Sequence, residues 1–479
     1  MSFAALLGAL PEAIVTMLAT IATLLCTLAL DPEPAPAILA VVLSLALSRS
    51  QLDRSPRERL EAAGALPIVG VLTVGVGALL LRMPWLGAFV FTAGIAASLW
   101  LRRFGTAAGR IGSLIALPFV AILTTPHLPR GHADSLFAWL EPVAIGLLAL
   151  FWVALSHLVA RRMRWIEPAP VERSAVPPRE TGQGLRPDAA TRMALQMSVA
   201  LAVSFAVGFA FFPERWSWIV LTAFIVNSGN RGRLDVAYKS VLRVIGAAAG
   251  TVAALAFALH LGAHDATTVL LMLAAVFLGT WLRPFGYAWW ALFVTLALAL
   301  LQGFTGLPMR HILWPRLEEI LIGAAIGVAS AWLVFPVRST AVLRRRIADA
   351  LAALSDALDP KAQSRTSRAF VAALARVEQV APAFRASRFA MRAFAGSSRP
   401  TSQPADWIDA LLACRSRAVA LIDAGEAPAR VRIAVGAARK ALREPATLLA
   451  ALRDLARALD AVALDAGAPA APATPLSDP

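Results

Sequence analysis

Trp281-Leu282-Arg283-Pro284-Phe285-Gly286 repeats Trp100-Leu101-Arg102-Arg103-Phe104-Gly105 at an offset of 181 residues. Leu317-Glu318-Glu319-Ile320-Leu321-Ile322-Gly323 repeats Leu140-Glu141-Pro142-Val143-Ala144-Ile145-Gly146 at 177, and Pro213 repeats Pro32 at 181. The matches keep their order along the chain, so one hydrophobic unit stands twice in tandem. Many transporters are built from two such copies, with the substrate path between them.

Composition agrees with a membrane location. Hydrophobic residues make up 58% of the 479 and charged residues only 16%, too little charge to cover a soluble protein of this length. The net charge of +15 then reads first as a bias of cytoplasmic loops, and nucleic acid is not an expected partner. Cys26 lies in an apolar run and Cys414 in a polar one, so a structural disulfide is not expected. The run Ala13–Leu30 follows no basic stretch and reads as a retained first span, not a removed signal peptide.

Apolar runs fall at about residues 11–30, 35–48, 64–81, 84–101, 105–125 and 136–159. The second copy supplies 192–212, 216–228, 241–261, 266–282, 286–303 and 312–336. Runs 35–48 and 216–228 are short and occupy equivalent places. Either flanking polar residues complete an ordinary span, or the pair marks broken helices near a substrate site. With the N-terminus inside, the Arg-rich loops fall on the cytoplasmic side in both copies, and both termini are cytoplasmic.

The fold class expected is therefore all-α: a polytopic membrane protein of two parallel six-helix repeats, about twelve transmembrane helices, with a C-terminal cytoplasmic helical domain. The boundaries are 1–160 for the first repeat, 161–190 for a Pro- and Arg-rich linker, and 191–337 for the second repeat. Residues 338–464 form the helical domain and 465–479 a disordered tail. In the helical domain Ile347, Leu351, Leu354 and Leu358 recur at helical spacing, as do Leu448, Leu452, Leu455, Leu459 and Val462.

Few residues in the apolar runs are charged, and those are the functional candidates. Arg243 opens Arg-Val-Ile-Gly-Ala-Ala-Ala-Gly, whose Gly246 and Gly250 give a face for close helix packing, as do Gly323 and Gly327. Arg243 either snorkels to headgroups or faces the route and attracts an anion. Arg316, Glu318 and Glu319 enter the last run near the outer face, with Glu141 at the matching place in the first copy. They form a proton-coupling set, or else Arg316 and Glu319 pair at i,i+3 and only hold the helix end. Trp281, Tyr287 and Trp289 flank Arg283, as an interfacial aromatic belt or as walls for a planar substrate. Arg231 belongs to a polar cluster, Asn227 to Lys239, that is either a solvated loop or the lining of an inner vestibule. His127 and His132 read as solvated. No P-loop, Gly-x-Ser-x-Gly elbow, Cys-x-x-Cys or His-Glu-x-x-His is present, so an enzyme, a cofactor and a bound metal are not expected.

Asn227–Thr251, Trp281–Thr295 and Arg316–Gly323 resemble the fusaric acid resistance family, which includes aromatic acid exporters of bacterial inner membranes. The likeness covers residues 11–336. It implies two six-span units, export of aromatic or other hydrophobic organic acids, and motif positions at Arg243, Arg316 and Glu318. The short middle linker departs from the longer exporters. The resulting expectation is an inner-membrane efflux transporter for organic anions. Arg243, Arg231 and Arg283 would gather the carboxylate, Trp281, Tyr287 and Trp289 would hold the ring, and Glu318, Glu319 and Glu141 would couple export to proton entry. A passive anion channel, or an assembly protein acting through its helical tail, are the alternatives. The lipid bilayer surrounds it; a homodimer and a periplasmic adaptor are candidate partners.

Overall fold

The computed structural model describes residues 3–51, 56–105, 136–166, 189–258, 265–304, 309–360, 366–394 and 403–465, with six helical positions between 108 and 123. The described residues are helical and include no strand. His127 and His132, most of the Arg161–Asp188 linker and the tail after Asp465 lie outside them.

The chain divides into two units. The first holds residues 1–230 and 239–335, the second 231–238 and 336 onward. In the first unit the helices are α1 (Phe3–Leu30), α2 (Pro34–Gln51), α3 (Pro56–Arg82), α4 (Pro84–Trp100), α5 (Leu136–Arg162), α6 (Ala189–Phe211) and α7 (Trp216–Asn227). They continue as α8 (Arg233–Ala258), α9 (Ala266–Leu282), α10 (Tyr287–Phe304) and α11 (Met309–Leu333). Among the described residues seven helices are long and apolar enough to cross a membrane, and Ala35–Ser48, Pro67–Arg82 and Trp216–Asn227 are shorter apolar helices. This is the architecture of a polytopic membrane protein.

The internal repeat is visible as packing. A 3₁₀ turn, Leu101–Phe104, follows α4, and another, Arg283–Phe285, follows α9, both within the repeated Trp-Leu-Arg motif. In the first copy α1, α2 and α5 pack against one another; in the second α6, α7 and α11 do the same. The copies then exchange contacts reciprocally, with α4 of the first lying on α6 of the second and α9 of the second on α1 of the first. Such reciprocity is what parallel repeats about an axis along the membrane normal produce. A cluster around Phe91, Phe205 and Trp216 fills the α4–α6–α7 contact, its aromatic rings about 5.5 Å apart edge to face or tilted.

In the second unit, α12 (Ser339–Ala357), α13 (Arg368–Glu378), α14 (Ala381–Phe394), α15 (Pro404–Ala413), α16 (Arg415–Asp423), α17 (Ala429–Ala441) and α18 (Pro445–Asp465) surround one apolar core. Ile347, Leu351, Leu354 and Leu358 enter that core from one side and Leu448, Leu452, Leu455, Leu459 and Val462 from another. The period of 3.6 residues placed each set on one helix face. Asp406 closes a capping box on Gln403 at the start of α15.

Candidate functional site

The second copy of the membrane unit buries an unusual set of charges. Arg243 and Arg316 are each 2% exposed and Glu319 1%. Burying an ion in a membrane-embedded interior is costly, and long basic side chains ordinarily snorkel out. The local sequence explains why these do not.

Arg243, Gly246 and Gly250 stand at i, i+3 and i+7 on α8, on a single face. That face meets α10 at backbone distance. A β-carbon on Gly246 would sit 2.5 Å from the Ala288 carbonyl oxygen, and one on Gly250 2.4 Å from that of Leu292. Contact this close turns Arg243 inward with the glycines, where its guanidinium interacts with the hydroxyl of Tyr287 at the start of α10.

The last helix repeats the device. Arg316, Glu319, Gly323 and Gly327 are spaced 3, 4 and 4 residues apart on one face of α11. A β-carbon on Gly323 would lie 2.5 Å from the Ile219 carbonyl oxygen, and one on Gly327 3.0 Å from Asn227 Nδ2. The partner is therefore α7, only 12 residues long. At about 18 Å it falls short of the roughly 30 Å hydrocarbon core. It carries Trp218, whose ring lies 3.8 Å from the Arg316 guanidinium, and Arg215 just before it, 3.3 Å from Glu319. From α10, Gln302 Oε1 accepts from Arg316 Nη1 at 3.4 Å.

These two faces converge, since Arg243 acts electrostatically on Arg316 across the interior, as does Glu319. Glu319 lies beside Arg316 and Arg215, so the charge of Arg243 has no close carboxylate of its own among these groups. Arg243 Nε, Arg316 Nε and Arg316 Nη2 are buried without a hydrogen-bond partner among the described residues. A buried donor left unmatched is expensive, and an incoming oxyanion satisfies several at once. Chemically the cluster is cationic and donor-rich, with one aromatic face. Among the described residues no group of three or more His, Cys, Asp or Glu could hold a metal ion.

The other candidates lie elsewhere. Glu318 is exposed, beside Glu319 on the neighbouring face of α11, and Glu141 is half-buried in α5. Arg283 stacks on Trp290 at 4.8 Å in the 3₁₀ turn. The Trp281 indole donates to the Leu6 carbonyl at 2.9 Å and so ties α9 to α1, while Trp289 is exposed. Arg231 belongs to the second unit, donating to the Gln379 carbonyl at 2.9 Å. Within that unit Gly232, with φ at +115°, stands where a β-carbon would lie 2.7 Å from the Ser339 hydroxyl. Trp218, Gln302 and Arg215 were not among the candidates. The shortness of the 216–228 run pointed to their neighbourhood without naming them.

Residues 199–330 match the family model described as fusaric acid resistance protein-like. The match spans the second half of α6, all of α7 to α10 and most of α11, and it bears out the resemblance carried by Asn227–Thr251, Trp281–Thr295 and Arg316–Gly323. A stretch of 171 residues is 26% identical to the uncharacterized protein YhfK of Escherichia coli K12, covering 35% of this chain and 24% of that protein. The chain thus aligns with about a quarter of that relative's length. No solved structure matches it.

Proposed function

We propose that this chain, a membrane protein whose second copy carries the fusaric acid resistance-like pattern, is an inner-membrane efflux transporter for aromatic or other hydrophobic organic acids. The supporting observation is the buried Arg243–Arg316 pair, whose positive charge exceeds that of its one close carboxylate. A carboxylate substrate bridges the two guanidiniums and supplies acceptors to their unmatched nitrogens. The Trp218 ring, already against Arg316, offers an apolar wall for the substrate's own ring. Export is coupled to proton entry, with Glu319 inside the cluster and Glu318 and Glu141 nearer its approaches. Twelve crossings, with both termini cytoplasmic, put the basic loops on the side from which the acid is gathered.

The test is accumulation of a panel of labelled aromatic carboxylates in an efflux-deficient strain. Cells producing the protein should retain less of at least one acid, and Arg243→Ala should abolish the difference at equal protein level. Equal retention across the panel would remove the proposal. Planar-bilayer recording separates an exporter, electrically quiet, from a passive channel with large unitary currents.

A further inference from the structure

The first copy buries a polar system of a different kind. Thr16, Thr20, Thr23 and Thr27 are spaced 4, 3 and 4 residues apart on α1, and all four are buried. Three turn back on their own helix. Thr20 donates to the Thr16 carbonyl at 2.8 Å, Thr23 to that of Ala19 at 2.8 Å, and Thr27 to that of Thr23 at 2.9 Å. The Thr16 hydroxyl instead crosses to α2, 2.7 Å from Ser48 Oγ. Ser48 Oγ is 2.8 Å from Nε2 of His157 on α5, and His157 is fully buried. Ser44, one turn before Ser48 on the same face, is buried as well.

The result is a hydrogen-bonded string, His157–Ser48–Thr16, while the other three buried hydroxyls line α1 for about 16 Å toward its Leu30 end, each bonded to a carbonyl of its own helix. Hydroxyls alone hold apolar helices together adequately. The imidazole adds something that they lack, because it can gain and release a proton near neutral pH. At the offset of 181 the second copy has Met197, Leu201, Ser204 and Gly208 in place of the four threonines, and at 177 it has Val334 in place of His157. The string is therefore a property of the first copy and not of the repeated scaffold.

We infer that His157 is a proton-carrying residue of the first copy, reached through Ser48 and Thr16 and serving the proton coupling of organic-acid export. This rests on the organic-acid reading above. In each cycle the imidazole takes one proton to become imidazolium and gives it up toward the other side; no other bond is made or broken. Among the described side chains, the charged groups on the helices packed against α5 are Glu12 on α1 and Arg82 on α3, both exposed. Glu141, Arg161 and Arg162 lie on its own α5. Arg161, one turn along, is the charge whose sign opposes imidazolium most directly.

The experiment uses the whole protein in liposomes and labelled phthalate, a dianion that leaks little through lipid. One arm follows exchange at equal pH on both sides; the other follows accumulation driven by an imposed pH difference. His157→Gln keeps a hydrogen-bonding group toward Ser48 but cannot titrate. It should leave exchange unchanged and lose the gradient-driven accumulation, whereas Arg243→Ala should lose both arms. Retention of gradient-driven accumulation in H157Q, or loss of both arms, overturns the assignment. Should H157Q fail to fold, Ser48→Ala severs the string one residue earlier and is read with the same expectations. No exchange by the wild type sinks the organic-acid reading itself and this inference with it, and the first arm alone reveals that.

Discussion

The two copies of the membrane unit share helix order, the 3₁₀ turn after their fourth helix and the packing of their first, second and last helices, and both bury hydroxyls, yet among the described residues the second also buries Arg and Glu where the first buries a histidine. The second encloses Arg243, Arg316 and Glu319; the first encloses four threonines, Ser44, Ser48 and His157. At the offset of 177, Arg316 is matched by Trp139 and Glu319 by Pro142. Duplication preserved the helix contacts because these depend on apolar volume and small residues, which both copies keep. It did not preserve the buried polar groups, since each is tolerated only where specific partners offset its desolvation. The difference suggests a division of labour, with the charged copy holding the anion and the hydroxyl-lined copy serving the proton.

The largest expected effect breaks the charged copy. Arg243→Ala or Arg316→Ala should cost about 2–5 kcal/mol of substrate binding, well over tenfold, read as the loss of labelled-acid export at unchanged protein level. Lysine at either position should restore only part, because it lacks the planar donor fork. Export surviving both alanine variants would dissolve the contrast between the copies.

Next in size is a pair of glycines, one in each copy. Gly246→Val drives side-chain atoms into Ala288 and Ala291 and should destabilise by about 1–3 kcal/mol or more. Gly64 has open space around it, so Gly64→Ala should stabilise α3 by up to about 1 kcal/mol. Thermal unfolding in detergent measures both, and equal shifts would mean that the close approach of α8 to α10 does not bear on stability. Trp218→Ala should weaken substrate binding by about 2 kcal/mol or less through loss of the face on Arg316, seen as a higher KM with the protein intact, while Trp218→Phe should recover most of it.

The smallest effect probes the first copy. Burial pushes the Cys414 thiol in the second unit up to about 12, with Arg417 pulling weakly the other way. Alkylation needs the thiolate, so Cys414 should stay silent from about pH 7 to 9. Native-state labelling then reports Cys26 alone, which is half-buried on the flank of α1 beside the buried threonine face. Modification of Cys26 by a water-soluble maleimide would show that water reaches that flank of α1, and silence that it is covered. The sign for stability follows as well: above the ordinary thiol range the unfolded chain loses this proton first, so stability falls as pH rises.

The run of apolar helices and the leucine faces of the second unit were legible in the sequence, because hydrophobic periodicity is a local property and each helix carries its own. Arg243 and Arg316 stood out for the same reason, as charges interrupting apolar runs. What could not be read was their meeting. An arginine near the end of an apolar run looks the same whether it snorkels or turns inward, and Arg243 and Arg316 lie 73 residues apart. Nothing in the sequence sets Trp218 and Gln302 apart until α7 and α10 bring them to Arg316, or His157 until α2 brings it Ser48. Sequence by itself determined that the chain is an all-helical membrane protein and which residues would be costly to bury. Only the tertiary structure decided which of those costs are met by a neighbour, because desolvation is a property of one residue and its compensation a property of a contact.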